Sequence, residues 1–486
     1  MSKPNIVYIL ADDMGYGDVS CLNAESKIHT PNLDRIGNQG RRFTDAHSSS
    51  AVCTPSRYSI LTGRYNWRSS LKQGVLLGYD APLIEEGRET AATLLSRHGY
   101  HTGCVGKWHL GWEWPTLEGE TAGNQFPFGS KEHTEQRREM NRKIDYSKRI
   151  GGGPVDCGFD SYFGVDVPNF PPYAWIENDH LIDVPTIEKP PEMYGNPGMM
   201  CEGWSLEAMI PEFTRRAVDL IEKEQSPFFL YYPLTSPHAP IVPNEQFTGM
   251  SEAGKYGDFV CEVDWVVGEI MDALDRSGKS DNTLLVFTSD NGPEQNAYPI
   301  GRKYGHYCMG HWRGVKSDIW EGGHREPFIA RWPKLIPAGS VCSQLVCLGD
   351  LMATIADITN AELPKDAGED SVSMFPLLEG KLDMPTRKKL IHHSGWFGNF
   401  ALRSGDWVFI DAPSGGDCFN TTDEGNKKEP EWFRLSRGYE FHDFPGELFN
   451  LNSDESEKYN LYAEHPEIVQ EMREYLAQEK NNGRLQ

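Results

Sequence analysis

A cysteine and an arginine lie one helical turn apart in the segment 53–57, which reads CTPSR. Thr54 is a good N-cap and Pro55 suits the first helical position, so the pattern predicts a helix that begins there. Cys53 then lies at the helix N-terminus, where unpaired N–H groups and the helix dipole favour an anion. Arg57 follows on the same helical face. These residues alone predict an anion site beside a cysteine, with a capped helix and a buried thiol as the plain alternative.

Two continuous apolar runs, 5–11 and 283–289, end in oxygen-bearing side chains. Such runs are typical of strands buried on both faces of a parallel sheet. The residues that follow them are Asp12, Asp13, Asp290 and Asn291. Because ligands of open α/β sheets bind at the carboxyl ends of the strands, these four side chains can meet at one edge. Their oxygens indicate a hard cation, Ca²⁺ or Mg²⁺, rather than Zn²⁺. A solvated turn is the alternative.

Two further strand patterns deliver cationic or imidazole groups. The short run 101–106 is followed by Lys107 and His109, which are two residues apart and point the same way in an extended chain. The run 227–234 is followed by His238, which lies between two prolines and therefore on a stiff loop. A surface lysine and packed histidines are the ordinary explanation for such residues when each is taken alone.

Five separated segments together resemble the motifs of the type I, formylglycine-dependent sulfatases. The resemblance points to the branch of arylsulfatase A and N-acetylgalactosamine-6-sulfatase. The segments are DDMGYGD at 12–18, CTPSR with LTGR at 53–64, GKWHLG at 106–111, SPH at 236–238 with SDNG at 289–292, and GVK at 314–316 with EGGHREP at 321–327. The resemblance implies an α/β fold, an alkaline-phosphatase-like sandwich with a large mixed, mostly parallel sheet flanked by helices. It also implies a small C-terminal subdomain of antiparallel sheet and helix, with domains at 1–385 and 386–486.

The resemblance assigns chemical roles to the same residues. Cys53 is oxidised by a maturation enzyme to formylglycine, whose hydrated aldehyde is the nucleophile. Ca²⁺, or Mg²⁺, is held by an oxygen at position 53 or of the sulfate together with the protein ligands, which are Asp12, Asp13, Asp290 and Asn291. The sulfate is contacted by four residues, which are Arg57, Lys107, His238 and Lys316. Asp290 acts as a base, His238 as the proton donor to the leaving oxygen, and His109 as the partner of the diol.

The implied activity is hydrolysis of a sulfate ester, with galactose or N-acetylgalactosamine sulfates as the expected substrates. One alternative is a phosphate or phosphonate ester hydrolase on the same fold. Another is a sulfated-glycan binding protein without activity, if Cys53 is never converted. Long polar segments at 112–155 and 168–211 predict loops that shape the pocket. Residues expected to recognise substrate or reach the pocket rim are Arg302, His311, His392 and Trp396.

Composition excludes several other classes of function. The 486 residues carry a formal net charge of −24, which argues against nucleic acid or an anionic membrane as a partner. No apolar run of 18 residues exists, and the first residues show no secretory signal, so a cytoplasmic location is expected, with a periplasmic or secreted location as the alternative if a signal was removed. With Cys53 set aside, nine of the ten cysteines remain and cannot all pair, which favours a reducing compartment.

Helical periodicity and short β patterns predict the remaining elements. Helices are expected at 89–98, 211–223, 258–276, 350–358 and 466–476. Strands beyond a linker at 381–388 are expected at 390–393, 400–403, 407–411 and 447–451.

Overall fold

The computed structural model of the protein describes residues 3–120, 135, 139–383, 385–396, 398–416, 429–439 and 441–482. The strands are β1 Asn5–Asp12, β2 Arg41–Phe43, β3 Ala46–His47, β4 His101–Lys107, β5 Ser161–Val165, β6 Ile176–Glu177, β7 His180–Leu181, β8 Ile187–Glu188, β9 Met199–Met200, β10 Phe228–Pro237, β11 Thr283–Ser289, β12 Phe328–Arg331, β13 Ser340–Cys342, β14 Val346–Cys347, β15 Lys389–His393, β16 Phe400–Ser404, β17 Trp407–Ile410 and β18 Glu447–Asn450.

Most helices lie between these strands or after them. The α-helices are α1 Pro31–Gln39, α2 Cys53–Thr62, α3 Ala91–Arg97, α4 Met209–Lys223, α5 Gly254–Arg276, α6 Ala297–Tyr304, α7 Glu321–His324, α8 Leu351–Thr359, α9 Phe375–Leu378, α10 Glu431–Arg437 and α11 Pro466–Asn481. Short 3-10 turns are Tyr16–Asp18, Asn66–Arg68, Pro154–Cys157, Glu245–Phe247, Ser280–Asn282 and Leu348–Asp350. Among the described residues, no helix is both long enough and apolar enough to cross a bilayer.

A ten-stranded sheet organises the chain, in the order β13-β2-β12-β11-β1-β10-β4-β5-β6-β7. The five strands β11, β1, β10, β4 and β5 are mutually parallel, and antiparallel strands lie on both sides of them. The carboxyl ends of the parallel strands therefore meet at one edge. Ala11 of β1 pairs with Ser289 of β11, so the residues that follow these two strands leave the sheet at the same level. The fold class predicted from the sequence is confirmed.

The sheet is covered on both faces, as the apolar run of β1 predicts. Alternate residues Ile6, Tyr8 and Leu10 join one core cluster, which includes apolar residues of α2 and α3. The residues between them join a second cluster, which includes the apolar faces of α4 and α5. Because β1 is buried on both sides, the polar side chains that follow it are held in a dry environment.

A smaller antiparallel sheet, β15-β16-β17-β18, carries the C-terminal part of the chain. Helix α11 packs on it through Val469, Met472 and Leu476. The final helix continues to Asn481, five residues beyond the predicted end at 476. A parallel bridge between Ser50 and His393 joins this sheet to the chain that leads into α2.

The start of α2 differs from the sequence prediction. The helix begins at Cys53 itself, with Val52 as an extended N-cap that makes no side-chain capping bond. Thr54 is not the cap, because its hydroxyl donates to the backbone oxygen of His109 at 3.0 Å. The predicted end is confirmed: Gly63 adopts a left-handed conformation with φ of 64° and donates its N–H to Ser59.

Candidate active site

Cys53 lies at the first position of α2, directly beside the ends of β1. Its Sγ is 3.7 Å from Oδ1 of Asp12 and 3.9 Å from Oδ1 of Asp13, and the side chain is 2% exposed. Burial raises the pKa of the Cys53 thiol well above its ordinary value, against the opposing effect of Lys107 and Lys316. Because the thiolate is the nucleophilic form of cysteine, the encoded side chain is a poor nucleophile here.

Oxygen atoms from two strand ends surround the same point. One ligand atom from each of Asp12, Asp13, Cys53 and Asp290 lies within 4.8 Å of the others. Asn291 donates its Nδ2 to Oδ1 of Asp13 at 2.7 Å, while its own Oδ1 is buried and has no partner among the described residues. Three buried carboxylates and an unpaired amide oxygen are the donor set of a hard cation. The residues therefore fit Ca²⁺ or Mg²⁺.

Two lysines form ion pairs with the carboxylates of Asp12 and Asp13. Lys107 Nζ lies 2.7 Å from Oδ2 of Asp12, and Lys316 Nζ lies 2.6 Å from Oδ2 of Asp13. Burial opposes the charge on Lys316, but Asp13, together with the other acidic groups around it, holds the pKa of the lysine well above its ordinary value. Lys316 is therefore a cation within the cluster of carboxylates.

Arg57 lies on α2 behind the cluster of carboxylates. Its guanidinium is fully buried and donates to Oδ2 of Asp290 and to the backbone oxygen of Lys107. Arg57 and Lys107 do not line the cavity beside Cys53. The carboxylates of Asp290 and Asp12 bind Arg57 and Lys107 in this structure, and sulfate contact by the two side chains stays a prediction.

Two histidines present opposite ring nitrogens to the site. His109 Nε2–H donates to the backbone oxygen of Leu76 at 2.8 Å, which leaves Nδ1 buried and without a partner in the described chain. His238 donates Nδ1–H to the oxygen of Ala239 at 2.5 Å, and its Nε2 lies 3.7 Å from Oδ2 of Asp13. Burial lowers the pKa of His238 to about 4 and that of His109 well below its ordinary value. Both imidazoles are therefore neutral proton acceptors at their inner nitrogens.

The backbone at the site is unusual at three positions. Asp13, His109 and Ser317 adopt left-handed conformations, with φ of 65°, 56° and 79°. β4 ends at Lys107, so the strand alternation expected to align Lys107 with His109 does not reach His109. Left-handed non-glycine residues are costly and are retained where surrounding contacts require them, which is common at functional sites.

A cavity of about 500 Å³ opens beside Cys53. Its walls carry four of the predicted site residues besides Cys53, namely His109, His238, Lys316 and Trp396. The carboxylate of Glu294, the hydroxyl of Ser317 and a set of apolar, aromatic and amide side chains complete the lining, the last set being Val52, Val75, Leu77, Val167, Asn169, Phe170, Tyr194, Asn196, Gln295 and Asn296. The amide oxygens of Asn169 and Asn296 are buried and lack protein partners within the described residues. The lining as a whole offers amide side chains and aromatic rings to a polar ligand.

The residues predicted to recognise substrate lie in different parts of the structure. Trp396 lines the cavity and donates its indole N–H to Ser317 Oγ at 3.0 Å. Arg302 is exposed and lies over the ring of Trp432, and His311 lines a separate groove and contacts Glu455. The remaining candidate, His392, packs against His47 and His324 and is not part of the cavity lining.

His392 is 2% exposed and stacks on His324, with ring centroids 3.7 Å apart. The suggestion that Arg302, His311 and His392 contact substrate in the cavity is therefore corrected. Arg302 and His311 point to other surfaces, and β15 turns His392 inward toward the junction with the main sheet.

Only one of the two long polar segments contributes described residues to the cavity lining. Asn169, Phe170, Tyr194 and Asn196, which lie in the segment 168–211, line the cavity, as predicted. No described residue of 112–155 does so, and Glu113, Arg149 and others of that segment line a different groove. Sequence reasoning did not single out the amides, because isolated asparagines in a loop carry no periodic signal.

The sequence model of the sulfatase family matches residues 4–361. The chain belongs to the sulfatase family. An N-acetylgalactosamine-6-O-sulfatase of Bacteroides thetaiotaomicron is 33% identical over 522 aligned positions, which cover 98% of this chain and 92% of the relative. Human arylsulfatase A is 32% identical over 97% of this chain and 86% of the relative. The mouse N-acetylgalactosamine-6-sulfatase is 30% identical over 97% and 86%.

Solved structures give the same assignment. A structure from work on glycosaminoglycan metabolism by Bacteroides thetaiotaomicron superposes with a TM-score of 0.81 and 31% identity, over 99% of this chain and 100% of that chain. A Pseudoalteromonas sulfatase has a TM-score of 0.74 at 24% identity, over 98% and 90%, and shares the fold. This sulfatase is therefore a sulfuric ester hydrolase, and the resemblance read from its motifs is confirmed.

Proposed function

We propose that this sulfatase hydrolyses an O-sulfate ester of a carbohydrate, with a 6-sulfated N-acetylgalactosamine or galactose unit as the substrate. The observation that carries the proposal is the wall of the cavity around Cys53. Lys316 and two neutral histidines supply charge and proton-transfer groups for an anionic ester. The amide side chains of Asn169, Asn196 and Asn296 and the ring of Trp396 line the same cavity and match sugar hydroxyls and an apolar sugar face. The names of the bacterial and mouse relatives support the amino sugar.

Cys53 is the residue that a maturation enzyme converts to formylglycine. The hydrate of that aldehyde supplies the attacking hydroxyl and a second hydroxyl through which sulfate is released. Ca²⁺ at Asp12, Asp13, Asp290 and Asn291 supplies positive charge at the reacting oxygens. The buried, protonated thiol of the encoded residue explains why the unmodified side chain is a weak nucleophile.

The protein's own groups divide the remaining tasks. Lys316 lines the cavity and stabilises negative charge on the sulfate oxygens. His238, whose neutral Nε2 faces Asp13 and Glu294 at 3.7 and 4.0 Å, takes up a proton from the Lys316 ammonium and passes it to the departing sugar oxygen. His109 accepts a proton at Nδ1, since its Nε2–H is held by Leu76. Arg57 pairs with Asp290 and Lys107 pairs with Asp12, and these ion pairs hold the two carboxylates in place.

The test combines mass spectrometry with a substrate panel. Protein produced with a maturation enzyme is digested, and the peptide that holds position 53 is weighed, since conversion of cysteine to formylglycine removes about 18 Da. Sulfate release is then measured on 6-sulfated and 4-sulfated N-acetylgalactosamine and galactose, and on nitrophenyl sulfate and phosphate. The expected result is conversion together with a preference for a 6-sulfated sugar, and Cys53→Ala serves as the inactive control.

Three outcomes would contradict the proposal or a part of it. An unmodified cysteine in protein that nevertheless binds sulfated sugars would identify a binding protein. Faster turnover of the phosphate ester than of every sulfate ester would identify a phosphatase on this fold. A preference for 4-sulfated sugars would retain the sulfatase and exclude the proposed position of the sulfate.

A further inference from the structure

Glu294 places a carboxylate in the wall of the cavity beside Cys53, and the proposed mechanism gives this group no task. Among the described residues that line the cavity, it is the only aspartate or glutamate. Its side chain is 33% exposed, so it faces the open cavity rather than the protein interior. A negative charge at this place calls for an explanation, because the cavity has to admit a sulfate ester, which is itself an anion.

The backbone fixes the place of Glu294 relative to the reacting groups. The residue follows Asp290 in the turn that leads from β11 into α6. The N–H of Lys316 donates to the backbone oxygen of Pro293 at 2.8 Å, and the N–H of Ala297 donates to the backbone oxygen of Glu294 at 2.9 Å. Glu294 is therefore tied on one side to the segment that carries Lys316 and on the other side to the start of α6.

The carboxylate lies beside the two groups that are assigned to the ester. Its Oε1 atom is 3.7 Å from Nζ of Lys316 and 4.0 Å from Nε2 of His238. Both distances are longer than a hydrogen bond, so these contacts leave the oxygens of Glu294 able to accept hydrogen bonds from a ligand. Lys316 is paired more closely with Asp13, at 2.6 Å. Glu294 is thus a second, looser neighbour of the ammonium group.

The chemistry of a carboxylate restricts which part of the substrate it can meet. An ionised carboxylate only accepts hydrogen bonds, and sulfate oxygens are also acceptors and carry negative charge. A sugar hydroxyl is a donor, and its hydrogen bond to an ionised carboxylate is stronger than one between neutral groups. Because His238 serves the departing oxygen, the hydroxyl that meets Glu294 has to lie next to that oxygen in the sugar.

We propose that Glu294 is a specificity-determining residue, which accepts a hydrogen bond from the sugar hydroxyl next to the ester and excludes a second sulfate from that position. The inference rests on the proposed function, in which the ester is on O6 of a galactose or N-acetylgalactosamine unit. The hydroxyl nearest to O6 along the carbon chain is then the 4-hydroxyl. A sulfate at this position removes the donor and sets a second negative charge against Glu294.

The experiment compares three variants with the wild-type enzyme. Glu294→Gln keeps the size of the side chain and an oxygen acceptor and loses the charge, whereas Glu294→Ala loses both. Glu455→Gln, which removes a carboxylate from a separate groove, is the matched control. The substrates are the 6-sulfated, 4,6-disulfated and 4-deoxy-6-sulfated forms of the same sugar, together with nitrophenyl sulfate. The value of kcat/KM is normalised to the formylglycine content at position 53.

The variants are expected to change selectivity in different ways. Glu294→Gln should raise kcat/KM for the disulfated sugar relative to the 6-sulfated sugar by roughly 10–100-fold, because the repulsion between like charges is lost. Glu294→Ala should lower kcat/KM for the 6-sulfated sugar by roughly 10–100-fold, the usual effect of a hydrogen bond to a charged group. It should also cleave the deoxy sugar as well as the 6-sulfated one. Neither variant should be slower on nitrophenyl sulfate, and Glu455→Gln should behave as wild type.

Two results would overturn the inference and leave the proposed function intact. An unchanged ratio of disulfated to 6-sulfated sugar in Glu294→Gln would exclude the repulsion. Equal losses of Glu294→Ala on nitrophenyl sulfate and on the 6-sulfated sugar would show that Glu294 positions Lys316 and does not meet the sugar. If the alanine variant does not fold, the ratio in the glutamine variant decides. A wild-type enzyme that cleaves nitrophenyl sulfate and no 6-sulfated sugar would instead contradict the proposed function, and the inference with it.

Discussion

The guanidinium of Arg57 binds the carboxylate of Asp290 through two N–H groups, Nε and Nη2, which lie 3.0 and 2.8 Å from the same Oδ2 atom. Both side chains are fully buried. Nη2 also lies 3.4 Å from Oδ1 of Asp12. One arginine of α2 thus joins the ends of β1 and β11. Breaking such a buried ion pair typically costs about 3–5 kcal/mol of stability.

Arg57→Lys should keep the charge and lose the paired contact with Asp290, because a lysine cannot donate from two rigid positions. We expect kcat to fall by roughly 100-fold, comparable to the loss of a fixed charge-stabilising group, with a lower melting temperature. Steady-state kinetics and thermal unfolding of formylglycine-bearing protein measure both. Arg215→Lys is the control, since this exposed arginine pairs with Glu212 and Asp219 at the surface and such pairs contribute less than about 1 kcal/mol. Activity within twofold of wild type would exclude this role.

His109 should act in sulfate release rather than in the first transfer, because its unpaired Nδ1 is a proton acceptor. In His109→Ala we expect one burst of sugar alcohol per enzyme, followed by turnover slowed by about 10²–10⁴-fold. Rapid-quench measurement of alcohol and free sulfate in parallel tests this. His311→Ala, a substitution outside the cavity, should behave as wild type. Equal rates of alcohol and sulfate release from the first turnover onward would disprove the assignment.

Asn291→Ala tests the hard-cation site with little change in charge. The variant loses the buried, unpaired Oδ1 atom and keeps Asp12, Asp13 and Asp290. We expect the Ca²⁺ concentration for half-maximal activity to rise by about tenfold or more, with recovery at high Ca²⁺. Titration of calcium into chelator-treated enzyme gives the value. Asn296→Ala, which removes an amide oxygen from the cavity wall, is the control and should leave the calcium dependence unchanged.

Much of the site's location was predictable because β1 and β11 are simple patterns. Continuous apolar runs that end in Asp12 and Asp290 indicate parallel strands, and parallel strands bring their carboxyl ends to one edge. The direction of individual side chains was not predictable. Arg57 turns toward Asp290 rather than toward the cavity because of a neighbour 233 positions away in the chain.

The difference between the predicted and the observed position of His392 has the same origin. Its strand was expected, and the structure has it at Lys389–His393. Which of two adjacent histidines turns inward depends on how the small sheet meets β3, and nothing in the local pattern reports that. The contact between His47 and His324 was not predictable either, because the two residues lie far apart in the sequence.

Glu262 should make stability depend on pH. It is buried on α5 and accepts two hydrogen bonds from Asn244, and burial raises the pKa of its carboxyl from 4.5 to about 7. The folded state therefore binds more protons than the unfolded state between these values, so stability falls as pH rises through this window. Glu262→Gln should reduce that slope by up to about 1.4 kcal/mol per pH unit.

Urea unfolding of wild type and the Glu262 variant at pH 5, 6, 7 and 8 measures the slope. Glu269→Gln, on the same helix and less buried, is the control. Parallel stability curves for wild type and the Glu262 variant across this range would show that the carboxyl ionises alike in both states.

Trp396 is expected to select sugar over simple aryl substrates. Its ring lines the cavity, and its indole N–H is held by Ser317, so the ring face is fixed beside Cys53. Stacking of an aromatic ring contributes about 0.5–1.5 kcal/mol, so Trp396→Ala should lower kcat/KM for a sulfated sugar by roughly 2–10-fold. For nitrophenyl sulfate, which reaches the nucleophile without filling the outer cavity, the change should be smaller. Trp432→Ala, far from the cavity lining, is the control, and equal losses on both substrates would place Trp396 in the support of the site rather than in sugar recognition.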